Sequence, residues 1–258
     1  MGLSVLQYVL GGGCGALAGF ALGAVGGGGS ILATPLMIYV AGVSNPHLAI
    51  GTSALSVAAS SGANLLNHAR SGRVRWVQAG LFSLTGLVGA FAGSALGKVV
   101  DGRRLLALFA LLMLGVAVAM WRGRGKVEGG CAAPMCWSQA GKLAAAGVSA
   151  GGLAGFFGIG GGFLIVPALI WATGMPMLEA VSSSLVAVTA FGLATATNYA
   201  LAGWVLWPLA AAFLVGGVAG GMAGARLAVG LAARRNKLAL TFSGLLVVVA
   251  LYILHRSL

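Results

Sequence analysis

Two glycine-rich stretches hold the residues best placed for chemistry. The first, GAVGGGGSILATPLMI, runs from Gly23 to Ile38, and the second, GFFGIGGGFLIVPALI, from Gly155 to Ile170. Consecutive glycines leave helical geometry at little steric cost. They expose backbone N–H groups, which a hydrocarbon surrounding does not tolerate without a partner. Each run precedes a proline, Pro35 or Pro167, expected in the first turn of the next segment, where proline is accepted. Two helix N-termini facing one cavity would offer N–H groups and dipoles that suit an anion. The candidate anion contacts are Gly27, Gly28, Gly29 and Ser30, with Gly160, Gly161 and Gly162 from the second run. The competing reading is close helix packing through small residues. That reading is preferred for Gly86, Gly89, Gly93 and Gly97, and for the glycines from Gly216 to Gly224.

Hydroxyls cluster a short way downstream. Thr52, Ser53 and Ser56, and likewise Ser182, Ser183 and Ser184, open the third apolar segment of each half. They are candidates to donate to substrate oxygens. Back-bonding to helix carbonyls, or capping, is the equal alternative. Only three acids are present, Asp101, Glu128 and Glu179, and Glu179 alone stands near an apolar segment. Transport of metal cations or sodium ordinarily calls for carboxylates inside the membrane, so an anionic substrate is favoured. Glu179 and His68 are candidate coupling groups; the alternatives are a surface glutamate at a helix start and a histidine at a loop end. Cys14, Cys131 and Cys136 match no metal or redox spacing. No metal cluster, nucleophile pair or phosphate-loop lysine occurs, so neither an enzyme nor a cofactor is expected.

The elements that must position these residues are apolar. Of 258 residues, 59% are hydrophobic and 7% charged, and mean hydropathy is +1.02. A soluble domain carries roughly 25% charged residues, so the chain belongs in a bilayer. Glycine is abundant, at 45 residues. The net charge of +12 lies between apolar segments, without exposed aromatics among it. It is read as loop charge under the positive-inside rule, and no nucleic-acid partner is expected. The first residues lack a positive n-region and a cleavage site and read as the start of a span.

The chain repeats. Gly23, Gly26, Gly28 and Pro35 match Gly155, Gly158, Gly160 and Pro167 at an offset of 132. Gly72, Val74 and Trp76 match Gly203, Val205 and Trp207 at 131, and Gly86 and Gly89 match Gly217 and Gly220. Five apolar segments per half follow, at about 4–22, 31–43, 48–66, 76–97 and 105–121, then 142–157, 163–174, 179–202, 205–229 and 238–254. The expected organisation is an N-terminal repeat over 1–121, a cytoplasmic linker over 122–141 and a C-terminal repeat over 142–258. If every segment crosses, the halves are inverted and the basic residues divide 11 against 4; if the short second segments turn back, they divide 8 against 7. The positive-inside rule then favours inversion, with both termini outside. The fold class is an all-α polytopic membrane protein of two inverted five-segment repeats, each with a short Gly/Pro-interrupted second segment.

Several of these features together resemble the TauE/SafE sulfite exporter family. They are the G-x-G-G-G-x-x-x-x-P pattern from Gly158 to Pro167 and its altered copy from Gly26 to Pro35, the stretch His47 to Ser53, and the segment Asn67 to Val74. The likeness covers nearly all the chain outside the linker; in the first copy Ser30 stands where the pattern has its last glycine. The resemblance implies a multi-pass permease of the inner membrane for sulfite, sulfoacetate, other organosulfonates or related carboxylates. The expected function is a secondary transporter, in the export direction, acting by alternating access. A passive anion channel and a non-transporting membrane scaffold are the alternatives. The expected partners are a small anion and the lipid bilayer, and a homodimer is the assembly considered.

Overall fold

A computed structural model describes residues 5–25, 30–70, 72–122, 137–158 and 162–230. Within them the chain is all helix: α1 (Val5–Val25), α2 (Ala33–Tyr39), α3 (Pro46–Arg70), α4 (Trp76–Val99), α5 (Gly102–Arg122), α6 (Trp137–Phe157), α7 (Gly162–Thr173), α8 (Met177–Leu201) and α9 (Trp207–Gly230). The expected tenth segment, 238–254, lies outside the described residues, as does most of the 122–141 linker. The sixth helix begins at Trp137, five residues inside that linker. Among the described residues, four helices are long and apolar enough to cross a membrane, over Val5–Gly23, Trp76–Val99, Glu179–Leu201 and Trp207–Gly224.

The two short helices differ from each other. Helix α2 has 7 residues and α7 has 12, which rise about 10 and 18 Å. Neither alone matches a hydrocarbon core of about 30 Å. Pro35 is the third residue of α2, in the first turn as expected. Pro167 is not in the first turn: α7 already starts at Gly162, so Pro167 stands inside the helix. The reason is that the apolar run after Gly162 continues the helix through the proline, and only one intrahelical donor is lost.

Helices α3 and α8 lie side by side at the centre, with α1 packed along α9 and α4 along α6. Small residues make those outer pairings. A Cβ at Gly15 or Gly19 would overlap the carbonyls of Phe213 and Gly217, and one at Gly216 or Gly220 those of Gly12 and Ala16. The same relation joins Gly89 and Gly93 to Val148 and Gly152, and Gly151 and Gly155 to Gly86 and Ala90. Backbones thus approach to contact, as small residues permit when lipid supplies no hydrophobic drive between helices. The close-packing reading of Gly86, Gly89, Gly93 and Gly97, and of Gly216, Gly217 and Gly220, agrees with this geometry. Outward faces carry Leu17, Leu84, Val88 and Val215, each more than half exposed, as lipid-facing side chains would be.

Substitution tests this packing. Gly19→Val places branched carbons on the Gly217 carbonyl and is expected to lower the unfolding temperature in detergent by roughly 5 °C or more. Gly13→Ala, on the same helix but with nothing within 4 Å, should leave it unchanged. Equal behaviour of the two variants would refute close packing as the role of Gly19.

Candidate functional site

The central pair α3 and α8 carries the polar residues. Thr52, Ser53, Ser56, Ser60, Ser61 and Asn64 are all buried on α3, and Ser182, Ser183, Ser184 and Thr195 on α8. Ser30 starts a turn of 3₁₀ helix ahead of α2 and is buried; Gly162 starts α7 and is buried too. Gly27, Gly28, Gly29, Gly160 and Gly161 lie outside the described residues.

Most of the expected oxyanion donors have protein partners. The Thr52 hydroxyl donates to the Leu48 carbonyl at 2.6 Å and accepts the Leu206 N–H at 3.1 Å. Ser53 donates to the Ile50 carbonyl at 3.1 Å. Its 3.0 Å contact with the Thr34 hydroxyl therefore has Thr34 as donor, since a serine carries one hydrogen. Ser56 reaches the Thr52 carbonyl on its own helix and the Ala210 carbonyl on α9. Ser183 accepts the Arg75 N–H at 3.0 Å, and the Ser182 hydroxyl lies 3.1 Å from His68 Nδ1. Thr52 and Ser53 adopt the back-bonding that was their alternative. Ser182 and Ser183 instead tie α8 to the end of α3 and the residues after it.

Glu179 stands in the first turn of α8. Arg75, just ahead of α4, grips it with a two-pronged contact: Nε to Oε2 at 2.7 Å and Nη2 to Oε1 at 3.2 Å. The side chains are 40% and 26% exposed respectively. Hydrogen bonding to Glu179 and its charge raise the Arg75 guanidinium above its ordinary range, so the pair stays ionic on the arginine side at any working pH. His68 is half-buried in the last turn of α3. The two coupling candidates thus meet at the start of α8, each already bonded to a neighbour.

Two features, the roles of Arg75 and Lys98, were not foreseen in the sequence. Arg75 entered the sequence reading only as loop charge, yet it fixes Glu179 across 104 residues. Lys98 Nζ donates to the side chain and carbonyl of Asn198, whose amide in turn donates to Ser94 at 2.6 Å. His47 stacks on Trp204 with centroids 4.9 Å apart, and Tyr199 tilts against Trp204. His47, Lys98 and Asp101 also line an open cleft of about 660 Å³. A lysine at the end of an apolar segment was a usable signal for the Asn198 contact; pairings across the two halves have no local signal. Among the described residues, no three His, Cys, Asp or Glu side chains gather as a metal site.

Known proteins supply the family. The model of the sulfite exporter TauE/SafE family matches residues 12–253. Probable membrane transporter proteins of Xylella fastidiosa, strains 9a5c and Temecula1, are each 50% identical over 245 residues, covering 95% of this chain and 94% of theirs. The probable membrane transporter protein YunE of Bacillus subtilis strain 168 is 25% identical over 233 residues, with 83% of this chain and 85% of its own covered. No solved structure matches. The chain belongs to the TauE/SafE sulfite exporter family; it is a multi-pass membrane transporter and not an enzyme.

The Arg75–Glu179 contact can be weighed by charge exchange. Arg75→Glu and Glu179→Arg should each destabilise the protein, and the double variant should recover most of the loss. The coupling expected for a partly exposed pair is about 0.5–1 kcal/mol, measured as a double-mutant cycle on thermal unfolding in detergent. Strict additivity would mean that the contact holds nothing.

Proposed function

We propose that this transporter exports a small sulfur-containing anion, such as sulfite, sulfoacetate or another organosulfonate, across the inner membrane by alternating access. The observation that carries the reading is a matched pair of hydrogen bonds. The Arg75 N–H donates to Ser183 Oγ, and the Leu206 N–H donates to Thr52 Oγ1. Each partner in the second bond has its counterpart in the first at an offset of 131, with the halves exchanged. The outer pairings of α1 with α9 and of α6 with α4 exchange in the same way. This supports two inverted halves packed about a local two-fold, the arrangement in which one half can rock against the other.

The substrate class rests on the family and on charge. Glu179, the carboxylate nearest a span, is neutralised by Arg75. That favours an anion over a cation at the midplane. In this reading Gly27, Gly28, Gly29 and Ser30 face Gly160, Gly161 and Gly162, and the anion sits between the two helix starts. Ser30 and Gly162, the members of each group within the described residues, are both buried at those starts.

Purified protein in liposomes, given ³⁵S-labelled sulfite or sulfoacetate and an imposed pH gradient, should show saturable, gradient-driven flux. Gly28→Leu and Gly161→Leu should each abolish it while the protein still inserts. Flux that ignores the gradient and runs at channel-like rates would support a passive pore instead. Silence toward every sulfur oxyanion tried would end the substrate assignment.

A further inference from the structure

Two hydrogen bonds and an ion pair join the halves where α8 begins. The Arg75 N–H donates to Ser183, the Arg75 guanidinium grips Glu179, and the Ser182 hydroxyl lies 3.1 Å from His68 Nδ1. One side of each contact belongs to the end of α3 or the residues after it, and the other to α8. Parting the halves at this end breaks all three. His68 has no share in the ion pair or in the matched pair of backbone bonds.

The other end is made differently. At the offset of 131, His68 corresponds to Tyr199, Ser182 to Gly51 and Arg73 to Trp204. Tyr199 is wholly buried, and a Cβ at Gly51 would overlap its Cβ and the Trp204 carbonyl. Close packing thus stands where the first end has a hydrogen bond. His47, the histidine at that end, meets Trp204 by ring stacking. Among the described residues, the hydrogen bond that a histidine makes between the halves lies at the start of α8.

The surroundings of His68 oppose a further positive charge. Arg70 follows it on α3, Arg73 and Arg75 come next in the chain, and Arg226 is the charged residue of α9. Glu179, the carboxylate of α8, is already held by Arg75. Helices α1 and α2 carry no charged residue, and α5 meets α3 at the far end, Gly102 against Pro46. His68 stands beyond the apolar segment 48–66 and is half-buried. Burial, and then the charge of Arg73, lower its pKa from the ordinary histidine value. Protonation of the closed seam therefore places an imidazolium in a half-buried site beside an arginine. Once the halves part, water reaches the ring and that cost falls away. The closed seam is favoured while His68 is neutral, and the advantage is lost as pH falls through and below about 6.5, the unperturbed value. The charge argument holds for either tautomer; where Nδ1 is the acceptor, protonation also removes the Ser182 bond.

We propose that His68 is a proton-binding site that latches the two halves: neutral, it holds Ser182 and keeps this end shut; protonated, it releases α8 and the end opens. Within the alternating-access reading above, on which this rests, His68 takes the proton while Glu179 stays with Arg75. Uptake of a proton is thereby linked to opening of the end that bears the histidine, since a ligand favours the state that binds it better.

Hydrogen–deuterium exchange of the full chain in detergent, at pH 7.5 and 5.5 and corrected for the intrinsic pH dependence of exchange, tests the latch. The Arg75 amide reports this end and the Leu206 amide the other. In wild type, opening at Arg75 should rise roughly fivefold or more on acidification, the lower end of ordinary coupling between two sites, with little change at Leu206. His68→Gln keeps a hydrogen-bonding side chain that does not titrate, and should open equally at both pH values. His68→Arg, with a fixed charge, should open readily at both. Glu179→Gln should open more readily at each pH yet keep the acid response, and His47→Gln should keep it too. No acid response in wild type, or the same response in His68→Gln, overturns the latch. A response lost in Glu179→Gln and kept in His68→Gln assigns the proton to the ion pair and overturns it as well. Should His68→Gln fail to fold, His68→Asn makes the same comparison. The exchange needs no substrate, so the two readings fail separately. Liposomes silent toward sulfur oxyanions overturn the substrate assignment, and gradient-independent flux overturns alternating access; an acid response abolished by His68→Gln supports the proton-linked contact in either case.

Discussion

Contact between backbones is the constraint on which the rest depends. Where α1 meets α9 and α4 meets α6, glycine on one helix faces a carbonyl on the next with no room for a side chain. Lipid tails are as apolar as leucine, so shape and close contact hold these helices together. The approach of the outer helices sets the space left to α3 and α8. It also explains why α3 can be so polar. Its buried face is covered by α8, α9 and α2 rather than by lipid, and two of its hydroxyls, on Ser53 and Ser56, reach Thr34 on α2 and the Ala210 carbonyl on α9.

Hydrogen-bond satisfaction then orders the interior. An unmet donor in an apolar medium is expensive, and the helices meet this demand in two ways. Some hydroxyls bond their own helix, as Thr85 and Thr197 do. Others join one half of the chain to the other, as Thr52 does with Leu206 and Ser183 with Arg75. The second kind brings the loop ahead of α4 onto the start of α8, and the loop ahead of α9 onto the start of α3. Residues distant in sequence are thereby fixed to one another at both places.

Much of the architecture was legible as apolar periodicity punctuated by glycine and proline. Trp76 begins α4 at the expected start of its apolar segment, and Trp207 begins α9 two residues after the expected start at 205, because interfacial tryptophans mark the ends of spans. Glycine spacing at Gly86, Gly89 and Gly93 pointed to packing, because a regular stripe of small residues has a direct steric meaning. Other features were hidden for physical reasons. Helix α6 starts at Trp137 although the sequence there is polar enough to read as linker, since helix starts tolerate exposed residues. Pro167 sits inside α7 because local preference yields to a continuous apolar helix. The partner of Glu179 could not be read at all: Arg75 lies in a loop of the other half, and only folding joins them. Thr52 and Ser183 were recognised as polar residues in an apolar setting, but the choice between ligand and structural partner depends on what stands opposite. Gly27 to Gly29, Gly160 and Gly161 fall outside the described residues.

The ion pair between Arg75 and Glu179 has no charged counterpart. At the positions 131 residues away stand Leu206 and Leu48, both packed against the apolar core. One end of the bundle is therefore fastened by Coulomb attraction between partly solvated groups, and the other by exclusion of water from hydrocarbon. The first weakens as salt shortens the Debye length; the second weakens on cooling. The two ends thus answer to different variables, ionic strength at the Arg75–Glu179 contact and temperature at the Leu48 and Leu206 contacts.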